Sequence, residues 1–223
     1  MAEAQRLDPA AFIHPGTDPI AAADLEAARR FGSATLHEAA GRIGALPSAI
    51  KPVVPGFAIA GQAVPVASPP ADNLWLHRAL AVAGKGDVLV VDVNQAFEYG
   101  YWGEVMSTAA MARGLAGLVI NGCVRDVRLL EELGFPICAR GLCIRGTGKD
   151  LAAPGSVNAP IWIGDCRIFA GDLVVGDEDG VVVIPRRRID EVLVEASRRE
   201  AHEAEIMRRL QAGETSLHIY GWE

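Results

Sequence analysis

Short apolar runs alternate with amphipathic stretches through the middle of the chain. Val88-Leu-Val-Val-Asp92, opened by Gly86-Asp87, and Gly117-Leu-Val-Ile120 are continuous apolar runs. Runs of this length and kind predict strands covered on both faces. Pro136 to Ala139 predicts a third strand. Glu104 to Arg113, stopped by Gly114, has helical spacing, as does the segment after Asp126 that ends before Gly134. The order strand, helix, strand, helix, strand predicts an α/β arrangement.

The flanks are read in the same way. Ala21 to Phe31 has the spacing of a short helix. Thr35-Leu36-His37-Glu38 reads as a capping box that opens a second helix, ended by Gly41 or Gly44. Punctuated apolar runs from Lys51 to Ala67 predict strands. Asn73 to Ala83 predicts a helix capped by Asp72 or Asn73. Residues 144–165 predict short strands and loops. Gly171-Asp-Leu-Val-Val175 and Val181-Val-Val-Ile184 predict a hairpin with its tight turn at Asp179-Gly180. The phrase beginning Gly-Asp at 86 returns at 171, so two strands are expected to start with the same turn. Arg186, Arg187 and Arg188 read as a solvated start to a long polar helix, Ile189 to Gln211. The alternative is that they meet a distal substrate carboxylate across a subunit interface. The expected organisation is an N-terminal arm (1–20), an α/β domain (21–188) and a C-terminal helix and tail (189–223).

Half of the 223 residues are hydrophobic, enough for one core without staples. Twenty-one basic against twenty-eight acidic residues leave a net charge of −7, which argues against nucleic acid as the main partner. No apolar run approaches the roughly 18 residues of a membrane helix, and no continuous apolar segment near the N-terminus suggests a signal peptide. Cys123, Cys138, Cys143 and Cys166 form no CxxC pair, so reduced thiols in a cytoplasmic protein are expected rather than a zinc site.

Candidate chemistry concentrates between Gly100 and Asp126. Glu104 opens a predicted helix after one buried strand, and Arg125-Asp126 follow the next. Ligands of open α/β sheets bind at the carboxyl ends of strands. Asp126 is a hard oxygen ligand suited to Mg²⁺ or Mn²⁺, and Mg²⁺ takes few protein carboxylates. Arg125 offers a permanent fork for a carboxylate or enolate oxygen. The free amides after Glu104 make an anion cradle. On spacing alone, Arg125-Asp126 also reads as a helix cap with a surface ion pair.

The chain resembles, nearly end to end, the class II pyruvate aldolases acting on 4-hydroxy-4-methyl-2-oxoglutarate and 4-carboxy-4-hydroxy-2-oxoadipate. Their superfamily includes the regulator of ribonuclease E activity A. The resemblance lies in Ala34-Thr-Leu-His-Glu-Ala39, Asp72-Asn73 with His77, Gly86 to Val91, Gly100-Tyr-Trp-Gly-Glu104, Arg113-Gly114, Gly117 to Ile120, Val124-Arg-Asp126 and Gly171 to Pro185. Where the family signature has Asp, twenty residues, then Arg-Asp, this chain has Glu104 before Arg125-Asp126.

The resemblance implies a layered α/β sandwich of mixed sheets with flanking helices. It implies a lyase of aromatic compound catabolism that releases pyruvate from a 4-hydroxy-2-oxo acid, with oxaloacetate decarboxylation as a side activity. Asp126 would ligate the divalent metal, with Glu104 holding it through water. Arg125 would bind the 2-oxo oxygen. Gly103, Glu104, Val105 and Met106 would receive the substrate carboxylate, and Asn73 and His77 would face the substrate. Glu200 or Glu203 of a neighbouring subunit would reach the metal through water in a trimer or hexamer. The rival readings are a non-catalytic regulator that binds a ribonuclease and a lyase with another 2-oxo acid.

Overall fold

Strands form where the chain is apolar on both faces. In the computed structural model, which describes residues 8–223, β2 (Ile59–Ala67), β3 (Asp87–Asp92), β4 (Gly117–Val124) and β5 (Ile137–Leu142) run parallel. All eight residues of β4 are buried. The short strand β1 (Lys51–Pro52) pairs antiparallel with β5 at one edge. At the other, β9 (Leu173–Asp177) pairs antiparallel with β2 and β10 (Gly180–Ile184) with β9. With β6 (Ser156–Val157) against β2, the sheet has eight strands in the order β1-β5-β4-β3-β2-β9-β10, β6 lying off that path.

The crossovers are α2 (Leu74–Val82), α3 (Glu104–Ala112) and α4 (Val127–Leu133). Consecutive parallel strands advance in one direction, so right-handed crossovers put all three helices on one face. Side-chain alternation agrees. Leu89 and Val91 pack with Trp75, Leu76 and Met106 of the helices, whereas Val88 and Val90 pack with Ile161, Ile163 and Ile168. The latter belong to a separate hairpin, β7 (Ile161–Ile163) with β8 (Cys166–Ile168), on the opposite face. Helices α1 (Ala22–Ala39) and α5 (Ile189–Gln211) cover β9 and β10, burying Phe31, Leu36, Val192 and Ala196 against Leu173, Val175, Val182 and Ile184. A last short helix, α6, spans Ser216–Tyr220. The fold is mixed α/β with flanking helices, as expected.

Several local expectations need correction. The break between the first two helices lies at Gly32 (φ 76°, ψ 170°), not at Thr35. There Asp177 takes the cap role: its carboxylate accepts the Ser33 N–H at 2.6 Å and the Ser33 hydroxyl at 2.5 Å. The hairpin pairs Gly180 with Asp177, so its two-residue connection is Glu178-Asp179. β4 runs on past Ile120 because a register shift between Ile120 and Cys123 absorbs the polar Asn121. Asn121 donates to Asp92 at 3.0 Å and accepts from Arg140 at 2.7 Å, so its burial leaves no unmet bond. Arg186–Arg188 form a 3-10 turn, and only Arg187 is exposed. Arg188 reaches back to the Ala40 carbonyl at 3.0 Å.

The N-terminal arm falls partly outside the described residues, at 1–7. Beyond them Pro9–Phe12 form a 3-10 turn, and Ile13 bridges to Val157. The repeated Gly-Asp phrase does start two strands alike. Gly86 and Gly171 have φ of 84° and 85°. Asp87 accepts the Gly84 N–H at 2.7 Å and Asp172 accepts the Phe169 N–H at 2.9 Å, the same three-residue return.

Candidate active site

The segment between β3 and α3 folds back along the end of β4. Tyr101 N–H donates to the Cys123 carbonyl at 3.0 Å and Arg125 N–H to the Trp102 carbonyl at 2.9 Å. This close approach explains two glycines. A Cβ on Gly100 would run into the Cys143 carbonyl oxygen, and one on Gly103 into Asp126 Oδ2. Trp102 and Tyr101 are fully buried as packing residues beneath the site. The indole of Trp102 donates to the Ser107 hydroxyl at 2.7 Å.

Asp126 leaves β4 in the left-handed region (φ 64°, ψ 30°), which Asp tolerates better than most residues. Although it occupies the N-cap of α4, its side chain makes no cap bond there. It turns to α3 instead, and Oδ2 accepts the Glu104 N–H at 3.2 Å. Arg125 Nε stands 3.8 Å from the same oxygen, with the two side chains 48% and 37% exposed. A pair this open adds little stability. It leaves both groups free to meet a ligand.

Gly103, the N-cap of α3, offers no side-chain cap, and Asp126 takes only the Glu104 amide. The Val105 and Met106 amides of α3 therefore lack intrahelical acceptors, and the helix dipole adds positive potential at that end.

The third wall is the start of α2. The Asn73 side chain donates to the Tyr101 carbonyl at 2.9 Å, while Asp72 caps α2 through the Leu74 N–H at 2.8 Å. The loop 146–150 is tied to this wall: Gly148 N–H donates to the Ala71 carbonyl at 2.7 Å, and Asp150 N–H to Asp72 at 2.5 Å. That anchoring places Lys149 on the cleft. The sequence reading missed Lys149, and the only signal for it was a basic residue in a Gly-Thr-Gly-Lys loop.

These walls enclose a cleft of about 230 Å³. Of the expected residues, Asn73, His77, Gly103, Val105, Met106, Arg125 and Asp126 all line it. The Glu104 side chain is exposed and does not; only its backbone N–H engages the site. Glu200 and Glu203 lie on α5, which packs on α1, and neither lines the cleft of its own chain. Glu203 is paired with Arg199 at 2.8 Å. Burial, reinforced by the Lys149 charge and partly opposed by Asp72, holds the His77 pKa below its ordinary value. His77 is thus biased toward the neutral imidazole.

The donor set fits a hard divalent cation of the sparse kind. Among the described residues no cluster of three or more His, Cys, Asp or Glu side chains is present. Asp126 Oδ1 has no hydrogen-bond partner among the described residues, so one oxygen remains free beside Arg125. All four cysteines are unpaired; burial pushes Cys138 up to about 12 and Cys166 to about 11, so neither is a ready nucleophile. No described helix is long and apolar enough to cross a membrane.

Comparison with known proteins agrees with this architecture. A protein of Halalkalibacterium halodurans named "Putative 4-hydroxy-4-methyl-2-oxoglutarate aldolase" is 34% identical over 175 residues, covering 78% of this chain and 82% of that one. A crystal structure of an uncharacterized Pseudomonas syringae protein superposes with a TM-score of 0.77 at 29% identity, covering 89% and 92% of the two chains. Streptomyces coelicolor RraAS2, described as an unusual member of the RNase ES inhibitor RraA protein family, gives 0.76 at 27% identity, covering 86% and 98%. The RraA-like family described as Aldolase/RraA matches residues 23–183, and the chain belongs to that family.

Proposed function

We propose that the protein is a divalent-metal-dependent lyase that cleaves a 4-hydroxy-2-oxo acid to release pyruvate. The observation that carries this reading is the convergence of Arg125, the free oxygen of Asp126 and the Val105 and Met106 end of α3 on one cleft. The likeness to the Halalkalibacterium aldolase supports the substrate class, with 4-hydroxy-4-methyl-2-oxoglutarate as its first candidate.

The Val105 and Met106 amides receive the substrate's 1-carboxylate, as a helix start receives any small anion. Arg125 donates to the 2-oxo oxygen. Asp126 would hold Mg²⁺ or Mn²⁺, and the cation when bound supplies Lewis-acid polarisation of the 2-oxo group. His77, biased toward its neutral form, is the candidate base: it takes the 4-hydroxyl proton, which is afterwards available for C3. C4–O becomes the carbonyl of the second product, the C3–C4 bond breaks and its electron pair flows into the 2-oxo group. Arg125 stabilises that negative charge as it develops. Protonation at C3 then completes pyruvate. Loss of CO₂ from oxaloacetate leaves the same enolate, so decarboxylation is expected on the same groups.

We further infer a cytoplasmic trimer or hexamer in which residues 189–223 lie at the subunit interface. In that assembly Glu200 or Glu203 of α5 supplies a carboxylate to a neighbour's cleft. Glu104, exposed on the rim, serves through water. The test is pyruvate release from 4-hydroxy-4-methyl-2-oxoglutarate and from oxaloacetate with Mg²⁺ or Mn²⁺, repeated after chelation. Turnover abolished by the chelator is the expected result. No turnover on either acid, with binding to a ribonuclease, would favour the reading suggested by the likeness to RraAS2.

A further inference from the structure

The β7–β8 hairpin lies on the sheet face opposite α2 and α3, and it forms a two-stranded sheet of its own. Alternation along its strands sorts the side chains. Ile161, Ile163, Cys166 and Ile168 point inward and are buried. Trp162 and Arg167, paired across the hairpin, point outward, and Phe169 continues the Arg167 row.

The outward face of a hairpin is normally polar. Here Trp162 is 57% exposed and Phe169 43%. The Arg167 guanidinium lies over both rings, 5.8 Å from the Trp162 centroid and 4.8 Å from that of Phe169. Ile43, also exposed, lines a hollow with Asp165 and Arg167. Asp165 sits at the tip of the hairpin, exposed, two residues before Arg167 in the same row. Neither Asp165 nor Arg167 enters a salt bridge among the described residues. Aromatic residues and Arg are the types that dominate protein interfaces.

We propose that this face is a two-fold contact between two copies of the chain. A two-fold contact sets the same patch on both sides, so the patch must complement itself. Asp165 and Arg167 meet that condition. With the axis level with Cys166, Asp165 of each copy meets Arg167 of the other. A partner of one charge sign would leave one of the two unpaired. A specific interface covers roughly 800 Å² per partner, more than one short hairpin offers. Small contacts gain strength by repetition. A trimer closed through residues 189–223, as inferred above, presents this face on every subunit, and two such trimers joined through it form a hexamer. The hexamer rests on that inference; the contact itself does not, and neither depends on the lyase reading.

The test measures molecular mass by sedimentation velocity for wild type, Arg167→Asp and the double variant Asp165→Arg with Arg167→Asp. Both positions are exposed, and circular dichroism checks the fold. Wild type is expected as a hexamer, and Arg167→Asp, which sets Asp against Asp, is expected at half that mass. The double variant restores opposite charges across the axis and is expected to regain the full mass. A mass unchanged in Arg167→Asp, or a double variant no larger than Arg167→Asp, overturns the proposal. A wild-type trimer overturns it too, while leaving the ring through residues 189–223 intact. A wild-type dimer that Arg167→Asp splits into monomers upholds the contact and removes the ring. A wild-type monomer removes both.

Discussion

The Asp126 carboxylate accepts the Glu104 backbone N–H at 3.2 Å, so one side chain both faces the cleft and ties the end of β4 to the start of α3. The tie needs an acceptor; the proposed chemistry needs a charge. Asp126→Asn separates the two. Asn keeps an oxygen for the Glu104 amide and tolerates the left-handed backbone as Asp does. We expect its unfolding midpoint to stay near wild type while pyruvate release falls about 10²- to 10³-fold, the usual loss when one electrostatic group is removed. Wild-type turnover by this variant would remove Asp126 from the site.

Gly103 tests the same tie from the other side. Its φ of −165° is ordinary extended backbone, so alanine is not strained there. The new methyl would instead push into Asp126 Oδ2. We expect Gly103→Ala to fold and to lose activity, with weaker Mn²⁺ binding by calorimetry than wild type. Gly100→Ala should behave differently, because its methyl meets the backbone carbonyl of Cys143, which cannot rotate away. That variant should lose stability first, read as a lower denaturation midpoint.

The buried pair Trp102–Ser107 predicts a pure stability effect. Ser107 is fully buried and its hydroxyl accepts the indole N–H at 2.7 Å. Ser107→Ala leaves that N–H without a partner, at a cost of about 1–3 kcal/mol. Chemical denaturation should show the loss, and activity per folded molecule should be little changed.

Much of this was legible in the sequence because local pattern and tertiary demand agreed. The apolar run at Val88–Val91 became β3, and Glu104 opened α3 as its spacing required. Arg125 and Asp126 fell at a strand end, where a pocket forms. Three of the misreadings share one cause, a partner distant in sequence, whereas the hairpin turn was misplaced by one residue within a local pattern. The break in α1 is set by Asp177, 144 residues from Ser33. β4 continues through Asn121 because Asp92 and Arg140 satisfy its amide. Lys149 reaches the cleft only because Gly148 and Asp150 bond to Ala71 and Asp72, some 78 residues away in the latter case. No local window contains such bonds.

His77 and Lys149 give a pH-dependent prediction. The His77 pKa is lowered from 6.5, first by burial and then by the Lys149 charge. Below 6.5 the unfolded chain binds a proton at this position that the folded chain resists. Stability contributed here is therefore present at higher pH and falls as pH drops below that value. Lys149→Met removes the repulsive charge but leaves the burial. We expect the His77 pKa to rise toward its ordinary value in an NMR titration and the acid-side loss of stability to shrink. An unchanged titration would mean that Lys149 does not face His77 in solution.

Asp177 supplies the last test, and it lies on the β9–β10 hairpin rather than in the cleft. Gly32 breaks α1 with φ of 76°, which exposes the Ser33 N–H as the first donor of the resumed helix. Asp177 receives that N–H and the Ser33 hydroxyl, and also the Asp179 N–H at 3.0 Å. One carboxylate thus fixes both the helix break and the hairpin turn. Asp177→Ala abandons these donors in a half-buried place and should cost about 1–3 kcal/mol. Asp177→Asn keeps one acceptor oxygen and should cost less. Because α1 and α5 pack together over this hairpin, the alanine variant should also speed amide exchange along both helices. Equal stability for wild type and Asp177→Ala would show that the break at Gly32 is held by packing of Phe31 and Leu36 alone.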